Sequence, residues 1–401
     1  MVGSIIYAVT SMLLGTFVIR VLGGDLGGIF FFAFSTMGQH IYIVSYFGMR
    51  PVQITDTARN YSFGDFRKFR TLTCMLAIVC ACVFAVIYSG ISYKAAVIIV
   101  VSLYRILDGL ADVYESEFQR DGRLDMTGKS MTIRTVIVVI AFAAVMLTTH
   151  NLLLSCAAMV IAVALSIFLF AAASLRKFEN VDYTENAGAS RRLFDASKWL
   201  FISAFIDLYI FAASKYAVDA HMSATVSGYY STIFIPTSVI NLMANFVIRP
   251  VLTGMSEQYN AGRTAELKKT IRSIGALILV LTVIGMFAAW LIGIPCLSLL
   301  VGSEAGAELS AYKTALVIVI AGGGLYAVLN LLYYVLVIIS RQKEMFLVYA
   351  GGAVLAFAIS GAFVRKWGVN GAAVSYFICM LSIVIAFAII AGININRKKD
   401  S

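Results

Sequence analysis

Residues 47–71 read FGMRPVQITDTARNYSFGDFRKFRT. The stretch leaves a long apolar run, turns at Arg50-Pro51-Val52, becomes polar and basic, and enters a second apolar run. A related stretch follows 199 positions later, where Phe246-Val247-Ile248-Arg249-Pro250-Val251 repeats the F-x-x-R-P-V pattern. With a slip of one residue, Tyr259, Gly262, Lys268, Lys269 and Thr270 then echo Tyr61, Gly64, Lys68, Arg70 and Thr71. The chain of 401 residues has four prolines, and two of them sit in this pair. An offset of half the chain implies two similar halves. The plainer alternative is that Arg-Pro after an apolar run is only a positive flank and a helix start.

The apolar runs on either side are of helix length. The chain is 61% hydrophobic and 13% charged, whereas soluble domains average about 45–50% and about 25%. This composition describes an all-α polytopic membrane protein, because a barrel would show strands of about 10 residues. A span needs about 20 apolar residues. The expected spans are 2–22, 28–49, 71–89, 95–117, 131–150, 152–174, 199–218, 225–249, 273–293, 311–340, 345–364 and 370–392. The first lacks a basic leader and a small-residue cleavage site, so it is kept as a span.

The net charge of +10 does not imply nucleic acid, because the basic residues fall in the connections. Arg50, Arg59, Arg67, Lys68 and Arg70 mark one side. So do Arg120, Arg123 and Lys129, and after them Arg176, Lys177, Arg191, Arg192 and Lys198. Arg263, Lys268, Lys269 and Arg272 continue the set, which the positive-inside rule makes cytoplasmic, with both termini inside. Six scattered cysteines and three histidines show no metal-ligand spacing, so no metal site is expected. The polar stretch 175–198 separates six-span lobes at 1–174 and 199–401, expected to be parallel repeats. Pro51 and Pro250 suit the first turns of cytoplasmic surface helices. Phe63, Phe66 and Phe69, alternating with Arg67, Lys68 and Arg70, suit a helix lying in the headgroup layer.

Ionisable residues inside spans are functional suspects. The fourth span places Arg105, Asp108, Asp112 and Glu115 at spacings of 3, 4 and 3, one face of a helix. They form either a polar stripe along a cavity or an ion pair that satisfies a buried arginine. One arginine does not need three carboxylates, which favours the stripe. Asp207 and Lys215 lie in the seventh span and Asn241 and Asn245 in the eighth. Gln39 and His40 lie in the second, and Arg20 ends the first. His40 alone reads as a core histidine, and buried amides are often interhelical glue. Gly322-Gly323-Gly324 in the tenth span marks either a hinge or close packing.

These residues resemble a known family. Arg20-Val21-Leu22-Gly23 followed by Gly27-Gly28, the FGMRPVQITD ending of the second span, and EFQRDGRLDMTGKSMTIRT at 117–135 are similar to polysaccharide flippases. These belong to a superfamily that also holds multidrug exporters and lipid II flippases. Gly228-Tyr229-Tyr230 and Pro236 fit as well. The resemblance implies a MATE-like fold of about twelve helices in two six-helix lobes with a central cleft. It implies an undecaprenyl-pyrophosphate-linked oligosaccharide as substrate, moved by alternating access across the bacterial cytoplasmic membrane. A coupling proton or sodium ion, and a polysaccharide polymerase and chain-length machinery as partners, come with it. Capsule, O-antigen and exopolysaccharide pathways are all compatible. The chain departs from the family in having almost no tail before its first span.

Arginine suits phosphate geometry. Arg20, Arg50, Arg105, Lys215 and Arg249, with Asn241 and Asn245, are therefore the expected substrate-binding residues, and Asp108, Asp112 and Asp207 the expected coupling or gating residues. The rivals are a multidrug antiporter of the same fold, a membrane polymerase or ligase, and a structural partner of an assembly complex. The outer connection 294–310 holds only Glu304 and Glu308 as acidic groups, which argues against an enzyme.

Overall fold

The computed structural model describes residues 2–56, 58–176, 178 and 181–397. Among the described residues every regular element is helical, and nine helices are long and apolar enough to cross a membrane. Val2–Leu22 has a shorter apolar core, Ile6–Leu22. Tyr93–Arg120 is long enough but carries the charged stripe. Gln342–Arg397 is two helices joined at Gly368, whose φ of 57° and ψ of −136° interrupt the helix. The stretch 294–310, expected as a connection, is helical over Ile294–Val301 and Ser303–Leu309.

The stretch 47–71 folds differently from expectation in one respect. Phe47 and Gly48 are both left-handed, with φ of 51° and 63°, and they turn the chain into the short helix Met49–Thr55, which holds Pro51. The next helix, Phe63–Ser89, begins well ahead of residue 71. Ser62 caps it: its hydroxyl accepts from the Asp65 amide at 3.0 Å, and the Asp65 carboxylate accepts from the Ser62 amide at 3.2 Å. Phe63, Phe66 and Phe69 do not lie in a headgroup layer. They are buried in one core with Phe47, Met49, Val113, Phe118, Leu175 and Leu193. A threefold aromatic spacing looks the same in sequence whether it faces lipid or a neighbouring helix, and here neighbouring helices cover it.

The second half does not copy the bend. Pro250 was expected to start a surface helix, but it lies inside the helix Ile235–Asn260.

The polar connection is docked rather than free. Gly64 donates its amide to Asp182 O at 3.1 Å, and the Asn186 amide and side chain bond Asp65 at 2.7 and 2.9 Å. A Cβ on Gly64 would lie 2.1 Å from Thr184 O and 2.3 Å from Tyr183 O, both backbone atoms. Gly64→Ala must therefore push the connection off the helix. It is expected to cost about 1–3 kcal/mol and to speed proteolysis within 181–188. An unchanged melting temperature and cleavage rate in detergent would contradict the docking.

Ala189–His221 begins inside the expected linker. Two compact units are formed, 1–208 and 209–401, so the first part of this helix packs with the first unit. In the first unit Tyr93–Arg120 is the hub, packing on 38–46, Met49–Thr55, Phe63–Ser89, Leu124–Thr149 and Leu152–Ser166. In the second, Lys313–Ile338 is the hub, packing on Ile235–Asn260, Thr264–Ala288 and Gln342–Arg397. That helix runs unbroken through its three glycines. Added Cβ atoms would meet the Tyr376 ring at 2.6 Å, Thr237 at 2.7 Å and Thr282 at 2.2 Å. The glycines serve close helix approach, as small residues do in membranes.

Candidate functional site

The charged hub of the first unit meets arginines from its neighbours. At the N-terminal end of the stripe, Arg105 is fully buried. The helix of the second span takes the wider π-helical form over Phe32–Met37. Arg105 donates to Phe34 O within this segment at 3.1 Å and lies 3.9 Å above the Phe34 ring. Its other arm donates to Tyr7 Oη at 2.8 Å, and Tyr7 in turn donates to Asp108 at 2.6 Å.

Arg134, from Leu124–Thr149, bridges the middle of the stripe. Its Nε lies 3.0 Å from Asp108, and its Nη1 lies 2.5 Å from Glu115. Asp112 is shared in the same way. Arg70 binds its Oδ2 at 3.0 Å, and Arg50 binds its Oδ1 at 2.5 Å. The second arm of Arg50 donates to Gln119 Oε1 at 2.9 Å. At the C-terminal end of Tyr93–Arg120, Arg120 binds Asp56 at 3.0 Å and Glu117 at 3.3 Å, and Gln53 donates to Glu117 at 2.8 Å.

The network contains Arg50, Arg70, Arg105, Arg120 and Arg134 against Asp56, Asp108, Asp112, Glu115 and Glu117, so it is neutral. Neutrality matters because an unpaired charge in a dry interior costs several kcal/mol or more. The members differ in access. The Arg50 side chain is 26% exposed, whereas Arg70, Arg105, Arg120 and Arg134 are exposed by 0%, 0%, 2% and 7%. Arg50 is the cation of this network that a ligand can reach.

The sequence expectations divide accordingly. The stripe Arg105, Asp108, Asp112 and Glu115 does share one face, but it is buried and paired rather than open along a cavity. The premise of one arginine against three carboxylates fails, because Arg50, Arg70 and Arg134 arrive from other helices. Arg50 was expected as a site residue but not as a partner of the stripe; Arg70, Arg134, Tyr7 and Gln119 were missed. The available signal was the imbalance of the stripe together with Arg70, just ahead of the third expected span, and Arg134, just inside the fifth. His40 is buried, with Nδ1 3.1 Å from Thr36 O and its ring edge-on to Phe205, a core histidine. Arg20 is exposed in the last turn of Val2–Leu22, and Asp207 is half-buried within Ala189–His221.

In the second unit Lys215 is buried, its Nζ 4.4 Å from the Phe234 ring centre and 5.4 Å from that of Phe211. Among the described residues it forms no ion pair. Asn241 and Asn245 are joined at 2.9 Å through the Asn241 carbonyl, and Asn330, which was not foreseen, donates to Asn241 Oδ1 at 2.7 Å. This trio bridges two helices. The side chain of Arg249 lies outside the described residues.

No family model matches the chain. A capsular polysaccharide biosynthesis protein, CapF of Staphylococcus aureus, is 22% identical over 294 residues, covering 71% of this chain and 72% of that protein. Among solved structures, the lipid II flippase MurJ in an inward closed conformation matches with a TM-score of 0.74 at 11% identity, covering 99% of this chain and 90% of that one. An inward-facing multidrug resistance MATE family transporter of the MOP superfamily matches at 0.73 and 12% identity, covering 98% and 96%. The eukaryotic MATE transporter AtDTX14 matches at 0.66 and 11% identity, covering 99% and 96%. The chain thus has the helical fold of the MATE and lipid II flippase transporters of the MOP superfamily, and the resemblance to the polysaccharide flippases of that superfamily stands.

Proposed function

We propose that the protein flips undecaprenyl-pyrophosphate-linked oligosaccharide units across the bacterial cytoplasmic membrane by alternating access, for assembly of a surface polysaccharide. The carrying observation is Arg50, the most exposed arginine of an otherwise buried, charge-balanced network, with its two arms on Asp112 and Gln119. A pyrophosphate needs such a fork, because arginine matches phosphate oxygens two at a time. The capsular relative favours a capsule over O-antigen or exopolysaccharide pathways.

Twelve spans accord with this reading. The nine apolar helices become twelve when the two parts of Gln342–Arg397 are counted separately and Val2–Leu22 and Tyr93–Arg120 are added. The fourth helix is then the hub of one unit and the tenth the hub of the other, which supports two parallel six-helix repeats; the basic connections put both termini in the cytoplasm in this reading. In this reading Arg20, Lys215 and Arg249 assist the headgroup along its path. Asp207 takes the coupling proton or sodium ion. Arg105, Asp108 and Asp112 set the arginine positions. The partners are the lipid-linked oligosaccharide, the bilayer and a polymerase with its chain-length machinery.

The test is reconstitution. Vesicles holding the protein should expose an inner-leaflet, fluorescent undecaprenyl-pyrophosphate disaccharide to an external quencher faster than empty vesicles. Equal rates would sink the proposal. The MATE neighbours keep a drug antiporter as the second reading. It requires that deleting the gene sensitise cells to organic cations.

A further inference from the structure

We propose that Asp112 and Gln119 occupy the two arms of the Arg50 fork as placeholders for phosphate oxygens, so that loading is an exchange of ligands on one guanidinium. The inference rests on the lipid-pyrophosphate reading above and assigns the resting partners that substrate must displace. Arg50 Nη1 meets Asp112 Oδ1 at 2.5 Å and Nη2 meets Gln119 Oε1 at 2.9 Å. Two oxygens on the two terminal nitrogens is the pattern a phosphate offers an arginine.

The surroundings make the exchange feasible. When Arg50 leaves, Asp112 is not orphaned, because its other oxygen is bound by Arg70 at 3.0 Å, and the Ser116 hydroxyl lies 3.4 Å from it. Arg70 is sealed in and donates also to Ser45 O at 3.2 Å, so it stays. Arg50 sits on the short helix Met49–Thr55, behind the two left-handed residues Phe47 and Gly48, and part of its side chain is exposed. Gln119 is half-buried and neutral. A phosphate oxygen outbids its amide oxygen because it carries a negative charge, which adds Coulomb attraction to the guanidinium that a neutral amide lacks.

Gln119 therefore sets affinity by competition, and its variants should move binding in opposite directions. Gln119→Ala, and the bulkier Gln119→Met, remove a competitor and should tighten binding of undecaprenyl pyrophosphate about fivefold, the worth of one hydrogen bond. Gln119→Glu adds a second anionic competitor and should weaken it about tenfold or more. The full chain in lipid nanodiscs would be titrated with undecaprenyl pyrophosphate, and with inorganic pyrophosphate as the free headgroup. The exchange requires the same order with both probes: Ala and Met tightest, then wild type, then Glu. Weakening by all three variants would mark Gln119 as a structural support and overturn the exchange. An order seen only with the lipid would place recognition away from the fork, with the same consequence. Wild-type protein that binds neither probe would overturn the substrate reading, and the exchange with it.

Discussion

Arg134→Ala is expected to remove most of the folded protein from the membrane. The side chain ties Asp108 to Glu115, whose side chains are 3% and 1% exposed. Removing it leaves Glu115 without its ion-pair partner and Asp108 with Tyr7 at 2.6 Å and the more distant Arg105 at 3.9 Å. Breaking a buried pair from one side costs about 3–5 kcal/mol, a large part of a typical stability of about 5–15 kcal/mol. Arg134→Lys should recover only part of this, because one ammonium cannot hold two separated carboxylates as a planar fork does. The double variant Arg134→Met with Glu115→Leu should melt higher than Arg134→Ala, because it removes both charges of one pair. Melting temperatures in detergent check all three. A wild-type melting temperature for Arg134→Ala would show that the network is not what holds the first unit together.

Arg50→Ala should do the reverse: spare the fold and remove transport. Asp112 keeps Arg70, so no buried charge is orphaned. The lost headgroup contact is charge-assisted and two-armed. A loss of about 2–3 kcal/mol of recognition, discounted for the partial exposure of Arg50, corresponds to roughly 30- to 150-fold. Arg50→Lys should fall in between, since it restores charge without the fork. Flipping rates in reconstituted vesicles, read beside the melting temperature, separate the two arginines. If Arg50→Ala also unfolds the protein, its role is structural like that of Arg134.

Much of the fold was legible because hydrophobic runs of span length allow few interpretations. Loop charge and the repeated Arg-Pro pattern added an orientation and an expected division into halves. The face of Tyr93–Arg120 that carries the stripe was also legible, since a helical spacing fixes which residues point together. What lies opposite that face was not. Arg70 and Arg134 stand on other helices, and no spacing in the sequence joins them to Asp112, Asp108 or Glu115. The same gap misplaced Phe63, Phe66 and Phe69, whose periodicity gives a direction but not a neighbour. Pro250 misled for another reason. A proline after an apolar run reads as a helix start, yet Ile235–Asn260 continues through it. The choice between a hinge and close packing at Gly322–Gly324 needed the positions of Tyr376, Thr237 and Thr282.

The central claim, that this protein carries lipid-linked sugar outward and does so through Arg50, is tested most directly by the sidedness of that lipid in cells. An impermeant, glycan-specific probe would be applied to cells lacking the gene and to cells complemented with wild type or with Arg50→Ala at matched protein levels. The account expects the oligosaccharide to accumulate out of the probe's reach without the gene and with Arg50→Ala, and to become reachable with wild type. Short units that are reachable in every strain but never extended would contradict it and point instead to a polymerase.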